Sequence, residues 1–252
     1  MVRIARKLTQ LGVRAFRLDL RGCGAGRNLA CQPYHAGRWG DLQAAAQWIT
    51  SICPASDINV AGFSLGGNLV LRWLGEALDW TEWHLGRAVA VNPPIDLAAS
   101  TENIARSARG LYDRHFSRLL YRQVQGTTQW RTDSPLAELG RCPDRLMQFD
   151  ELFTAPLSGF KNAAEYYQRA SAAPLLYRIG IPTLILSALD DPLIPPAMFT
   201  DVEMGKYVLL HLEKNGGHLG YIAARGQDPD RHWMDWRVVD WLTAAHPATA
   251  ST

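Results

Sequence analysis

The chain has 252 residues, a formal net charge of +2 and 20% charged residues. A balance this close to neutral gives no argument for nucleic acid or an anionic membrane as a partner. Hydrophobic residues make up 47%, the level of an ordinary soluble globular protein. No stretch approaches the roughly 18 consecutive apolar residues of a membrane span. The start, MVRIARKLTQLGVRAF, is charged and amphipathic and lacks the apolar centre of a secretory signal. Cys23, Cys31, Cys53 and Cys142 form no C-x-x-C and no zinc-finger spacing, so they read as reduced thiols of a cytoplasmic protein. The length suits a single α/β domain over residues 1–252 with an insertion.

In chain order, residues 3–11 carry Ile4, Leu8 and Leu11 on one helical face and stop at Gly12. Residues 13–18 read as a strand, followed by the loop Arg21-Gly22-Cys23-Gly24-Ala25-Gly26. A helix is expected over 38–52, a strand over 58–62, a helix over 65–78 and a strand over 87–91 that ends at Asn92-Pro93-Pro94. Residues 95–178 contain no strand pattern; they hold amphipathic stretches at 104–124 and 163–171 and a turn-rich middle with Pro135, Pro143 and Pro156. Strands return at 183–189 and 207–212. A last helix over 232–243 has Trp233, Trp236, Val239 and Leu242 on its inner face, and the tail 246–252 is expected to fray. Strands alternating with helices predict a mostly parallel, doubly wound sheet covered on both faces. The interruption at about 95–178 predicts a helical cap over the carboxyl edge of the sheet, where such folds bind ligands.

Residues 59–69, NVAGFSLGGNL, contain Gly62-Phe63-Ser64-Leu65-Gly66 between a strand and a helix. This is the G-x-S-x-G pattern of a nucleophile elbow, with small residues two before and two after the serine so that the backbone turns sharply. Gly67 keeps the next turn open. The helix start adds partial positive charge, and the Leu65 N–H is placed to face a developing oxyanion. A serine at neutral pH needs a base. His35, His84, His115, His211, His232 and His246 lie in helices, strands or the tail without a supporting motif. His218 sits in Gly216-Gly217-His218-Leu219-Gly220, a flexible loop after the last strand. The base in turn needs a carboxylate on its other nitrogen. Asp190 and Asp191 both follow a strand; Asp191 is preferred because it lies further out on the loop and is held by Pro192, leaving Asp190 to accept loop N–H bonds. The order Ser64, Asp191, His218 is that of the α/β hydrolases, and each residue falls at the carboxyl end of a predicted strand.

Two further features carry less. Gly22-Cys23-Gly24-Ala25-Gly26 has the spacing G-x-G-x-G rather than the dinucleotide G-x-G-x-x-G, and no helix opens at its third glycine. Residues 106–122 interleave Arg with Leu, Tyr and Phe, which reads as an amphipathic helix with a solvated basic face; the sharper alternative is a cap helix that meets lipid or acyl chains.

The chain resembles the α/β-hydrolase superfamily and, within it, the YheT-like esterases, or AB hydrolase family 4. The resemblance runs over nearly its whole length. It rests on Arg21-Gly22-Cys23-Gly24, Tyr34-His35-Ala36-Gly37 with Asp41, the elbow Gly62 to Asn68, Phe149-Asp150-Glu151, Gly159-Phe160, Tyr166-Tyr167, Ser171, Asp190-Asp191-Pro192 and Gly216 to Gly220. The resemblance implies carboxylester hydrolysis through an acyl-enzyme, with Ser64 as nucleophile, His218 as base and Asp191, the second aspartate of its run, as acid. It implies a small-molecule or lipid acyl ester as substrate and neither cofactor nor metal. Family members carry further residues upstream, holding the first three strands and a His-Gly oxyanion loop. The expectation is therefore an N-terminally truncated sheet, either a fragment or one in which the strands at 13–18 and 58–62 stand apart. Loss of one oxyanion donor typically costs about 10²–10³ in rate. The rival readings are thus an impaired or non-catalytic hydrolase-like protein and an acyltransferase on the same fold.

Overall fold

The computed structural model describes residues 1–77, 83–127, 130 and 134–245. Four parallel strands, β1 (Ile58–Phe63), β2 (Leu85–Val91), β3 (Thr183–Ala188) and β4 (Val208–Glu213), lie side by side in that order. Helices α1 (Val2–Gln10), α2 (Gly40–Ile52), α3 (Leu65–Glu76), α4 (Leu97–Arg106), α5 (Leu111–Gln125), α6 (Ala163–Ala170) and α7 (Trp233–Thr243) surround them, with short helical turns between α5 and α6. The two central strands are apolar runs, LGRAVAV and TLILSA, because both of their faces are covered. Ala88, Ala90 and Ile185 point to one face, with Leu69, Leu71 and Leu74 of α3 and Leu42 and Ala46 of α2. Val89, Val91, Leu184 and Leu186 point to the other, with Ile4 and Leu8 of α1 and Val238, Val239 and Leu242 of α7.

Three sequence expectations are corrected. Residues 13–18 form no strand: β1 is an edge strand paired only to β2 among the described residues, and a strand pattern without a partner makes no ladder. Phe16 and Leu18 remain 43% and 46% exposed, and the Phe16 ring sits edge-on to Trp48 of α2. The stretch 104–124 is not one helix, because the chain turns between α4 and α5 through left-handed Ala108, Arg109 and Gly110 (φ 47°, 56° and 74°). The inner face of α7 is Met234, Asp235, Val238, Val239 and Leu242, with Trp233 and Trp236 at its flanks. A charged residue occupies the inward position, since Arg3 of α1 binds Asp235 at 2.8 Å; Lys7 pairs with Asp230 and lies 3.9 Å over the Trp236 ring. The expected frayed tail lies outside the described residues.

Between β2 and β3 the described residues are helices and turns. Their polar interior is tied to loop 34–37 and to α3. Asn68 of α3 donates to the Ala36 and Ala170 carbonyls at 3.0 and 2.9 Å and accepts from Ala172 N–H at 3.0 Å. Ala36 N–H donates to the Tyr166 hydroxyl, and the Tyr167 hydroxyl donates to Asp150, which also accepts from Thr154. Burial pushes the Asp150 carboxyl up to about 6, against the pull of the Thr154 and Tyr167 hydrogen bonds. His35 lies in a loop, not in a regular element, against the rings of Phe160 and Tyr166. Burial, then the Arg38 and Arg21 guanidiniums, lower it to about 4.

The strand-to-helix turn after β1 is tight. Ser64 has φ 51° and ψ −123°, outside the regions side chains prefer, and its N–H is fixed by the Val91 carbonyl at 2.8 Å. A Cβ on Gly62 would stand 2.3 Å from the Gly66 carbonyl oxygen, and one on Gly67 would stand 3.0 Å from Pro93. A Cβ on Gly66 would meet nothing within 4 Å, so the turn requires its first glycine and not the one two residues after the serine.

Gly62→Ala is accordingly expected to lower stability by ~2 kcal/mol or more. Gly66→Ala, inside the first turn of α3, should be neutral or slightly stabilising in the same denaturant titration. A second prediction concerns pH. Asp150 is raised from 3.8 to about 6, so its contribution to stability is full below 3.8 and is lost as the pH rises through 6. His35 is lowered from 6.5 to about 4, so its contribution is present above 6.5 and is lost as the pH falls toward 4. Between pH 4 and 6 the two slopes oppose, each up to about 1.4 kcal/mol per pH unit. Urea denaturation should show stability falling with rising pH in His35→Gln and climbing in Asp150→Asn. Identical profiles for both variants and wild type would refute the opposition.

Candidate active site

Each strand end delivers one group to the same edge of the sheet. Ser64 follows β1, Asn92 follows β2, Asp191 lies three residues beyond β3, and His218 lies in the loop after β4. Parallel pairing in register, Phe63 against Val91, Val91 against Leu186 and Leu186 against His211, keeps these ends level.

Three of the side chains singled out in the sequence stand in one line of hydrogen bonds. His218 Nε2 is 3.0 Å from Ser64 Oγ, and His218 Nδ1 is 2.8 Å from Asp191 Oδ2. The Asp191 side chain is fully buried and that of His218 is 19% exposed. Asp191 Oδ1 accepts the N–H groups of Leu193 and Ile194 at 2.8 and 3.2 Å. Burial pushes the Asp191 carboxyl up; the hydrogen bonds from His218, Leu193 N–H and Asn92 outweigh it, so the group stays below the ordinary carboxylate range. Asp190 faces elsewhere. Its Oδ1 accepts the N–H groups of Gly216 and Gly217, both at 2.8 Å, and so shapes the loop that carries His218.

Leu65 opens α3, and N–H groups of a first helical turn have no intrahelical partner. Gly67 and Asn68 N–H turn back to the Ser64 carbonyl at 2.8 and 3.3 Å. The Leu65 N–H, next in the chain after Ser64, lies at the positive end of the helix dipole.

Two residues at this edge escaped the sequence reading. Asn92, fully buried with φ 46°, donates to Asp191 Oδ2 and to the Gly217 carbonyl. Tyr221 donates its hydroxyl to Asn92 Oδ1 at 2.7 Å and stacks on Trp233. The available signal was a polar residue closing an otherwise apolar strand just before Pro93-Pro94. The glycine-rich loop at 22–26 is filled by the chain itself: Asp19 Oδ2 accepts Ala25 N–H at 3.2 Å, and the Trp130 ring lies where a Gly22 Cβ would stand. A carboxylate thus already takes the Ala25 N–H that an anion held by this loop would need.

Residues 2–224 match the family model described as the alpha/beta hydrolase fold. The chain is 31% identical over 247 residues to YheT of Escherichia coli, described as a candidate esterase, covering 96% of this chain and 71% of that protein. It is 28% identical over 246 residues to a monoacylglycerol lipase of Saccharomyces cerevisiae, covering 94% of this chain and 54% of that one, so it spans about half the length of that relative. A solved structure from work on the metagenome-derived lipolytic enzymes LipS and LipT superposes with a TM-score of 0.54 at 17% identity, over 96% of this chain and 86% of the other. No helix among the described residues is long and apolar enough to cross a membrane. A parallel sheet that brings its strand ends to one edge, a serine on a strained strand-to-helix turn and these relatives agree: the chain belongs to the α/β-hydrolase fold family, among relatives of the YheT esterase type.

Proposed function

We propose that this chain is a serine carboxylesterase that cleaves acyl esters through an acyl-enzyme. The observation that carries the reading is the unbroken line Ser64 Oγ, His218 Nε2, His218 Nδ1, Asp191 Oδ2 at 3.0 and 2.8 Å. Ser64 attacks the ester carbonyl as His218 takes its proton, and Leu65 N–H stabilises the oxyanion that forms. His218 then returns the proton to the leaving alcohol. Water, deprotonated by the same imidazole, releases the acid and restores Ser64. Asp191 holds the imidazole with Nδ1 protonated and offsets the charge of the imidazolium. The yeast relative's name points to a glycerol ester as the natural substrate class.

A fluorophosphonate probe is expected to label wild type and not Ser64→Ala, and Ser64→Ala should lose at least ~10⁴-fold in p-nitrophenyl butyrate turnover. Equal labelling of the two proteins would sink the reading. The two aspartates separate in the same assay. Asp191→Asn should lose about 10⁴ in kcat, whereas Asp190→Asn keeps an oxygen for Gly216 and Gly217 and should stay within roughly tenfold of wild type. The reverse ranking would move the acid to Asp190.

A further inference from the structure

We propose that Asn92 is a positioning residue for the histidine and its acid, and that the donor it presents to Asp191, rather than the space it fills, is what the reaction uses. The proposal rests on the esterase reading and extends it by a residue on the neighbouring strand.

The amide has one permitted orientation. Its Nδ2 faces two acceptors, Asp191 Oδ2 and the Gly217 carbonyl, while its Oδ1 faces the Tyr221 hydroxyl. Turned over, the carbonyl oxygen would oppose a carboxylate and another carbonyl in a fully buried place, leaving unpaired acceptors that cost more than the bonds are worth. One side chain therefore ties the acid to both flanks of His218, at Gly217 and Tyr221. The Asp191 oxygen that accepts from His218 is the oxygen Asn92 also holds, so the carboxylate cannot swing away from the imidazole without breaking that bond. Tyr221 is fixed in turn: it stacks 5.6 Å from Trp233, and a Cβ on Gly216 would come within 2.2 Å of its ring. Burial pushes the Tyr221 phenol well up, so it remains a donor. The left-handed φ of 46° is one that asparagine tolerates better than most residues. Of the charged groups around the pair, His218 bonds to Asp191 directly, while Asp190 is turned to the loop backbone and Glu213 ends β4.

The test compares Asn92→Gly, which keeps the backbone freedom and removes the side chain, with Asn92→Asp, which keeps the shape and replaces the donor by an acceptor. Asn92→Gly should lower kcat for p-nitrophenyl butyrate roughly 10- to 100-fold, with KM within about twofold. At pH 8 Asn92→Asp should be worse than Asn92→Gly by about a further tenfold, because two carboxylates then share one site. As the pH falls toward 5.5 the ratio of its kcat/KM to that of the glycine variant should climb toward one, since the pair takes up a proton and again offers Asp191 a donor. A space-filling role predicts the opposite ranking, so an aspartate variant equal to or better than the glycine variant at pH 8 overturns the proposal. So does a loss carried by KM. Tyr221→Phe supplies a milder perturbation if the aspartate variant does not fold. It should lower kcat, and the loss should not add to that of Asn92→Gly, because both act through one amide; fully additive losses also overturn the proposal. Failure of the esterase reading looks different: Ser64→Ala would then retain wild-type turnover.

Discussion

The carboxylate of Asp191 is the constraint around which this edge of the molecule is organised. A charge without water is costly unless every lone pair finds a donor, and the penalty of an unpaired one runs to several kcal/mol. Asp191 meets that demand with Leu193 and Ile194 N–H on one oxygen and His218 and Asn92 on the other. The donors come from its own loop, from the end of β2 and from the loop after β4. Satisfying one buried ion therefore holds three strand ends in a single arrangement. The same arrangement leaves the far nitrogen of His218 directed at Ser64.

The sheet makes this possible by keeping its strand ends level. The two central strands, covered on both faces, are anchored by cores on either side, so their carboxyl ends cannot slide independently. Ser64 adds local strain on top of this rigid support. Its φ of 51° is held because its N–H is bonded across the sheet to Val91 and because Gly62 lets the following helix approach closely. Strain of this kind persists only where the surroundings over-determine it. Asn68, one turn further along α3, ties the same helix to loop 34–37 and to the end of α6. The elbow is thus braced from the sheet below and from the helical segment beside it.

Much of the frame was legible in the chain. The apolar runs read as strands at 87–91 and 183–189 lie in β2 and β3, which are covered on both faces, and GFSLGG between a strand and a helix marked the turn. Asp190 was distinguished from Asp191 by its place in the loop, and the two do face different partners. The readings that failed share a cause. Residues 13–18 have a strand pattern and no ladder, because pairing depends on a neighbour that a local pattern cannot supply. Asp235 faces inward on α7 because Arg3 reaches it from α1, some 230 positions away in the chain. Ala108 and Arg109 turn left-handed against their own preference, so beyond the single Gly110 no residue type announced the kink.

The sequence by itself determined the covalent inventory: a serine flanked by glycines, an Asp-Asp-Pro run, a glycine-rich histidine loop, and their order. These are local features, written in residue type and spacing, and the α/β-hydrolase fold family can be reached from them. The tertiary structure alone decided which buried groups meet. Asn92 and Tyr221 lie 129 positions apart, and nothing in either neighbourhood names the other. They come together because a buried carboxylate and a buried amide each required partners, and only the packed strand ends could provide them.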